Sequence, residues 1–198
     1  MPERSLRLVA ITSPDFLPGE GRRIAALLDE GFWRVHIRKP RATADRLRQL
    51  LGSIPSRCLP RIVLHDHQEL AATFHVGGIH LNSRQPTLLP ELKGKELTVS
   101  RSCHSLEEVV AWKARTDYLF LSPIFDSISK KGYRSNFSPD ILRSAAAEGI
   151  IDAKVFALGG VTTDRLPLLR AIGFGGAAML GAVWGAGLPD EGSSGRVK

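Results

Sequence analysis

The sequence has few cysteines and no long apolar run. Among 198 residues it contains two cysteines, Cys58 and Cys103, and neither belongs to a CxxC or a Cys/His pattern. This excludes a disulfide framework and fits a reducing compartment. No apolar segment approaches the roughly 20 residues that a membrane-spanning helix requires, and the N-terminal residues lack the pattern of a signal peptide. We therefore expect a cytoplasmic protein with no membrane partner.

The sequence is basic, but its basic residues are dispersed. The 27 Lys and Arg residues outnumber the 20 Asp and Glu residues, which gives a net charge of +7, yet no block of five basic residues occurs. Zinc-finger and aromatic-rich RNA-binding patterns are also missing, so we expect no nucleic-acid partner. Small anionic substrates remain as the partners that such a charge favours. With 43% hydrophobic and 24% charged residues, the composition is that of a globular domain.

Short apolar runs alternate with helical segments along the chain. The predicted strands span residues 7–12, 32–39, 61–66, 77–81, 97–103, 117–125, 154–160 and 175–180. Helical patterns over 21–31, 43–53, 105–115 and 138–149 separate them, with a helical turn at 67–74 and a short or kinked helix at 162–173 around Pro167. Eight such units predict an α/β fold of the (β/α)₈ TIM-barrel type. The alternative, a doubly wound open sheet, normally carries a GxGxxG motif after its first strand, which this sequence lacks.

The predicted barrel ends abruptly. Residues 184–198 follow the eighth strand and show no helical periodicity. We therefore predict a single barrel domain over residues 1–185 with a truncated or missing last helix, followed by a flexible tail over 186–198. A barrel without its last helix exposes an apolar patch, and a second subunit in a homodimer would cover it.

Polar residues collect where the predicted strands end, which is where barrels carry their active sites. Arg38 and Asp66 stand out because each follows a largely apolar strand, where an unpartnered charge is costly. The carboxylate of Asp66 suits Mg²⁺. A zinc site at His65 and His67 is the alternative, although the sequence shows no further ligand for it. His80, alone at its strand end, is expected to be a hydrogen-bonded structural residue.

Two regions resemble phosphate sites. Gly159-Gly160 and Leu180-Gly181 follow the last two strands, where small residues allow backbone N–H groups to approach an anion. After the sixth strand, Ser127, Ser129 and Lys130 offer two hydroxyls and an ammonium group to a phosphate. The alternative for this second segment is a solvated surface loop.

Together these stretches resemble the thiamine phosphate synthase/TenI superfamily from about residue 7 to residue 185. The similar motifs follow the family's order: HIRK (36–39) for QxREK, VLHDHQELA (63–71) for IINDxxxLA, GGIHL (77–81) for GVHLG, RSCHSLEE (101–108) for GxSxHSxEE, SPIFDSISKKG (122–132) for GPxFPTxTKxG, and FALGGV (156–161) with AAMLGAVW (177–184) for the two phosphate-site motifs.

The resemblance implies a reaction and a set of roles. An aminopyrimidine pyrophosphate ionises, and the nitrogen of a thiazole phosphate attacks the resulting cation to give thiamine phosphate and pyrophosphate. Arg38 and Lys130 would act on the pyrophosphate, Asp66 would hold Mg²⁺, and Ser102 would contact the pyrimidine. The other implied substrate-binding residues are His36, Lys39 and His65 in the first two motifs, and Ser127, Ile128, Ser129, Gly160, Leu180 and Gly181 around the thiazole phosphate.

The sequence departs from the family motifs at several positions. His36 replaces a glutamine, His65 replaces an asparagine, Pro40 replaces the lysine of REK, and Gln85 stands where a second Mg²⁺ carboxylate is expected. Two alternatives therefore stay open. One is a thiazole tautomerase, although its acid/base histidine falls at Pro123 and another histidine would have to supply the base. The other is a non-catalytic paralogue that binds a phosphorylated ligand.

Overall fold

Eight parallel strands form a closed barrel. The computed structural model of the chain describes residues 5–126 and 137–184. Each strand pairs with the next one in sequence, and the eighth pairs with the first, so the sheet has no edge. This confirms the predicted TIM barrel. The strands are β1 (Arg7–Ile11), β2 (Arg34–Ile37), β3 (Ile62–Leu64), β4 (Gly78–Leu81), β5 (Thr98–Cys103), β6 (Tyr118–Leu121), β7 (Val155–Leu158) and β8 (Gly176–Met179).

Helices surround the barrel, and several of them begin at the predicted caps. The hydroxyl groups of Thr43, Ser105 and Ser138 each accept a backbone N–H from the first turn of the following helix. None of the helices in the described ranges is long and apolar enough to cross a membrane. The helices are α1 (Glu20–Asp29), α2 (Ala44–Ser53), α3 (Leu70–Phe74), α4 (Leu106–Trp112), α5 (Pro139–Ala147), α6 (Leu166–Ile172) and α7 (Gly181–Trp184).

Several elements are shorter than predicted, and a proline accounts for the largest difference among the strand ends. The sixth strand ends at Leu121 rather than at residue 125, since Pro123 has no N–H for a sheet hydrogen bond. Pro167 causes no kink, because α6 begins at Leu166 and its first turn needs no N–H from a proline. The connection between β4 and β5, described over its whole length, contains one 3₁₀ turn, Pro90–Leu92, and no α-helix.

The core has two parts that follow the alternation of side chains along each strand. Val35 and Ile37 of β2 point outwards and pack beneath the helices with residues such as Leu51 of α2. Inside the barrel, aromatic rings including Tyr118 and Phe156 form a second apolar cluster. The side of the interior formed by β2, β3 and β4 is instead filled by buried histidines, which makes it the polar side of the barrel.

The chain after β8 is described as far as Trp184. The indole N–H of Trp184 in α7 donates to the backbone oxygen of Ile11 at 2.7 Å, which ties this short helix to the end of β1. Residues 185–198 lie outside the described residues. The domain boundary at 185, the flexible tail, the uncovered patch and the homodimer therefore remain predictions.

Candidate functional site

Arg38 lies at the carboxyl end of β2 with an available guanidinium group. Its backbone N–H donates to the buried Thr12 Oγ1 at 2.9 Å, which fixes it beside the end of β1. Within residues 5–126 and 137–184, no hydrogen-bond acceptor contacts the guanidinium of this half-buried side chain. A partly buried cation without a partner is the arrangement that an anionic ligand requires.

Lys39, by contrast, is fully engaged within the protein. Its ammonium nitrogen lies 2.6 Å from Glu20 Oε1, 2.8 Å from the backbone oxygen of Ser13 and 2.7 Å from that of Asp15. These three acceptors match the three hydrogens of the ammonium group. The contacts favour a structural role, and the predicted role of Lys39 in substrate binding has no support from this geometry.

The carboxylate of Asp66 is held by an arginine. Arg84 Nε lies 2.7 Å from Asp66 Oδ1, and Arg84 Nη2 lies 2.9 Å from Oδ2, so the pair is bidentate. At the position expected for a second Mg²⁺ carboxylate, the side-chain oxygen of Gln85 is buried and uncharged, and it has no hydrogen-bond partner in the part of the chain that the structure describes. A single carboxylate already neutralised by a guanidinium does not fit Mg²⁺, which binds through anionic oxygens. The cation at Asp66 in this structure is Arg84.

Three histidines meet inside the barrel below its carboxyl end. His36 Nδ1 lies 2.9 Å from His65 Nε2, and the rings of His65 and His80 stack with their centroids 4.1 Å apart. All three side chains are buried, with exposed fractions of 0%, 5% and 1% in sequence order. We refer to His36, His65 and His80 as the histidine cluster.

Hydroxyl groups contact three ring nitrogens of this cluster. Tyr118 Oη lies 2.6 Å from His36 Nε2, Ser100 Oγ lies 2.9 Å from His80 Nδ1, and Ser102 Oγ lies 3.0 Å from His80 Nε2. Burial lowers the pKa of His36 and His65 well below the usual value and that of His80 to about 3, with further lowering by neighbouring positive groups. The three imidazoles are therefore neutral at physiological pH and each offers a lone pair.

The structure brings together residues that the sequence analysis treated separately. His36 and His65 were predicted as substrate contacts and His80 as a structural residue, and all three share one cluster. The alternative of a zinc site at His65 and His67 has no support from the geometry, since His67 contacts the backbone oxygen of Ala42 at 2.8 Å and Glu69 at 3.0 Å. The sequence analysis did not identify Tyr118 or Arg84 as site residues, because their partners, His36 and Asp66, are distant in sequence and no local motif links them.

The predicted phosphate loop after β7 packs against the segment that follows β6. Phe125 donates its N–H to the backbone oxygen of Gly159 at 3.1 Å, and Gly159 and Gly160 both have left-handed φ angles of +94° and +62°. No acceptor among the described residues takes the backbone N–H of Gly160 or Leu180. Gly181 begins α7 directly after Leu180. The predicted ligands Ser127, Ile128, Ser129 and Lys130 lie outside the described residues.

We expect Gly160→Ala to weaken phosphate-ligand binding at least tenfold and to destabilise the fold by about 1–3 kcal/mol. A Cβ atom at this position would lie 2.5 Å from the backbone oxygen of Asp126 and 2.8 Å from Phe125 Cβ, at a φ of +62°. The loop would have to move away from the segment after β6. Calorimetric titration with thiazole phosphate and urea unfolding measure the two effects.

Gly149→Ala is the matched control for this prediction. Gly149 has a φ of +73°, and a Cβ atom there meets nothing within 4 Å, so the substitution imposes the backbone strain without the collision. It should lower stability slightly and leave ligand affinity unchanged. Equal affinity for both variants would contradict a role of the Gly160 loop in binding.

Comparison with known proteins identifies the family. A family model described as thiamine monophosphate synthase matches residues 8–183. A thiamine-phosphate synthase of Bacteroides thetaiotaomicron is 26% identical over 79% of each chain. One from Synechococcus is 32% identical over 71% of this chain, which there spans only 39% of the relative's length. The crystal structure of a thiamine phosphate pyrophosphorylase from Bacteroides thetaiotaomicron superposes with a TM-score of 0.83 at 39% identity, covering 94% of this chain and 90% of that one. The chain therefore belongs to the thiamine monophosphate synthase family.

Proposed function

We propose that this chain is a thiamine-phosphate synthase that joins an aminopyrimidine pyrophosphate to a thiazole phosphate. The observation that carries the proposal is Arg38, whose guanidinium has no acceptor among the described residues and which follows β2 at the carboxyl end of the barrel. The backbone N–H groups of Gly160 and Leu180, which have no acceptor within residues 5–126 and 137–184, follow β7 and β8 at the same end. This arrangement provides for two separate phosphate groups.

The reaction is a substitution at the methylene carbon of the pyrimidine. The carbon–oxygen bond to pyrophosphate breaks and its electron pair leaves with the pyrophosphate, after which the thiazole nitrogen donates its lone pair to form the new carbon–nitrogen bond. The departing group gains negative charge, so cations placed around it lower the barrier. Arg38 and Lys130 are the proposed cations. Exclusion of water protects the carbocation from hydrolysis, and the packed interior below the site serves this purpose.

The family resemblance implies Mg²⁺, but the proposed mechanism uses only cations of the protein itself. Arg84 occupies both oxygens of Asp66, at 2.7 and 2.9 Å, and a metal would have to displace it. With the guanidinium in place, Asp66 and Arg84 form a hydrogen-bonded ion pair next to His65, where the family resemblance implies a metal ion. Small phosphorylated substrates are those on which enzymes of this family act. The cytoplasmic location stays a prediction.

The tautomerase alternative is not favoured. Pro123 occupies the position of its acid/base histidine. The nearest histidine in sequence to the β6 end, His104, has its Nδ1 3.0 Å from the backbone oxygen of Ser122, so this nitrogen is engaged as a donor. The relatives found by comparison are named as synthases.

Incubation of the full chain with both substrates, followed by chromatography of thiamine phosphate, tests the proposal. We expect turnover. We also expect Lys130→Ala to lower kcat/KM at least a hundredfold, because it removes a positive charge that stabilises the departing pyrophosphate. Lys131→Ala, one residue further along the same segment, is the control and should retain activity. Absence of turnover with retained thiazole-phosphate binding would overturn the synthase assignment in favour of a non-catalytic ligand-binding protein.

A further inference from the structure

We propose that the histidine cluster is a binding site for a divalent transition-metal ion of the Zn²⁺ type. One ring nitrogen from each of His36, His65 and His80 lies within 4.8 Å of the other two. Across residues 5–126 and 137–184, this is the one group of three or more histidines, cysteines or carboxylates with such spacing. The inference does not depend on the proposed synthase reaction.

One pair of nitrogens lies near the spacing of a tetrahedral site, and the third nitrogen is within 4.8 Å of both. Zinc binds imidazole nitrogen at about 2.0–2.1 Å, so two ligands at a tetrahedral angle lie about 3.4 Å apart. His36 Nδ1 and His65 Nε2 are 2.9 Å apart, which is the distance of the hydrogen bond they form without a metal. The ring of His80 stacks on that of His65 at an interplanar angle of 22°. To complete the site, side-chain rotation has to lengthen the distance between His36 Nδ1 and His65 Nε2 and to tilt the rings of His65 and His80 away from their stacked arrangement.

Hydroxyl groups already hold the ring nitrogens that would face away from the metal. When His36 binds through Nδ1, its Nε2–H donates to Tyr118 Oη, which lies 2.6 Å away. When His80 binds through Nε2, its Nδ1–H donates to Ser100 Oγ, which lies 2.9 Å away. Metal-binding histidines regularly donate their second nitrogen in this way, which fixes the tautomer and the ring orientation. Two of the three ligands therefore already have a partner for the N–H that faces away from the metal.

The ligand set selects the class of metal. It consists of three neutral imidazoles with no carboxylate, whereas Mg²⁺ and Ca²⁺ bind through oxygen. Imidazole instead favours Zn²⁺, Co²⁺, Ni²⁺ and Cu²⁺. Three protein ligands leave a fourth position open, as in catalytic rather than structural zinc sites. Ser102 Oγ lies 3.0 Å from His80 Nε2 and is thus a polar group at the edge of the cluster.

The site lies where an ion can enter from the carboxyl end of the barrel. His65 directly follows β3 and retains 5% exposure, and Ser102 near the end of β5 is partly exposed. Below the cluster, Phe120 and Tyr118 close the interior, with the ring of Phe120 5.0 Å from that of His36. The cluster therefore lies near the end of the barrel at which Arg38 follows β2.

Metal content of the full chain tests this proposal. The chain is freed of metal with a chelator, loaded with Zn²⁺ or Co²⁺, passed through gel filtration and analysed by mass spectrometry. We expect one ion per chain, unaffected by excess Mg²⁺. The visible absorption of bound Co²⁺ should have the intensity of a four-coordinate site with nitrogen ligands. Substoichiometric metal, or the weak absorption of a six-coordinate ion, would overturn the proposal.

Variants assign the bound ion to the cluster. The double substitution His36→Gln and His65→Asn restores the two amides of the family motifs and should lower the affinity for Zn²⁺ at least a hundredfold. His75→Asn is the control, because His75 is exposed and adopts a left-handed φ of 52°, which asparagine tolerates. Unchanged affinity in the double variant, or equal loss in the control, would place the ion elsewhere.

A second readout covers the case in which the double variant does not fold. Zn²⁺ should raise the thermal unfolding temperature of the wild-type chain, and the single substitution His65→Asn, at the most exposed member of the cluster, should abolish that rise. A wild-type chain whose unfolding temperature is unchanged by saturating Zn²⁺ would contradict the proposal. Turnover is not used as a readout, so failure of the synthase assignment would leave this test intact.

Discussion

Replacing Glu20 by alanine is expected to lower the free energy of unfolding by about 3–5 kcal/mol, because it leaves the ammonium group of Lys39 buried without its carboxylate. The two side chains are each 1% exposed, and their charged atoms lie 2.6 Å apart. Burial raises the pKa of Glu20 and lowers that of Lys39, so each group is held in its charged form mainly by the other. Removal of either partner alone is therefore costly.

Urea unfolding of three variants tests this expectation. Asp29→Ala breaks an ion pair between Asp29 and Arg57, whose side chains are 61% and 64% exposed, respectively. It should lower the free energy of unfolding by less than about 1 kcal/mol. The double substitution Glu20→Gln and Lys39→Met removes both charges and keeps an acceptor for the Leu17 N–H, so it should recover much of the loss. A cost for Glu20→Ala no greater than that for Asp29→Ala would show that Lys39 finds another partner or water.

The orientation of Lys39 could have been read from the alternation of the strand before it. Val35 and Ile37 face the helices, so a residue two positions further falls on the same side, where Lys39 meets α1. His36 and Arg38 fall on the barrel side by the same rule. The motif comparison placed His36, Arg38 and Lys39 in one substrate-binding stretch and did not use this alternation.

The barrel itself was predictable because its signals are local. Apolar runs, caps such as Ser138 and the regular alternation of elements each depend on a few neighbouring residues. The histidine cluster and the Asp66–Arg84 pair depend on which strands become neighbours and in what register. His36, His65 and His80 come from three consecutive strands, and a parallel closed sheet places their ends side by side. That step was available once the barrel was predicted, but the conformation of the loop that carries Arg84 was not.

Replacing Arg38 by alanine is expected to lower kcat/KM of the proposed synthase by about 10²–10³-fold, which is the usual effect of removing one donor from a developing negative charge. The substitution should leave stability within about 0.5 kcal/mol, because no described residue accepts a hydrogen bond from the guanidinium. The kcat/KM of Arg38→Lys should lie between those of the wild type and Arg38→Ala. An ammonium group retains the charge but lacks the planar pair of N–H donors that can bind two phosphate oxygens.

Arg48→Ala is the control for the loss of a positive charge. Arg48 lies on the outer face of α2, half exposed and paired with Asp45, so its removal should alter neither kcat/KM nor folding. Steady-state rates for each variant are measured beside its urea unfolding curve, which separates lost catalysis from lost structure. If Arg38→Ala keeps kcat/KM within threefold of the wild type, the pyrophosphate binds elsewhere. Arg84 would then be the next candidate, because Asp66 holds its guanidinium beside the histidine cluster.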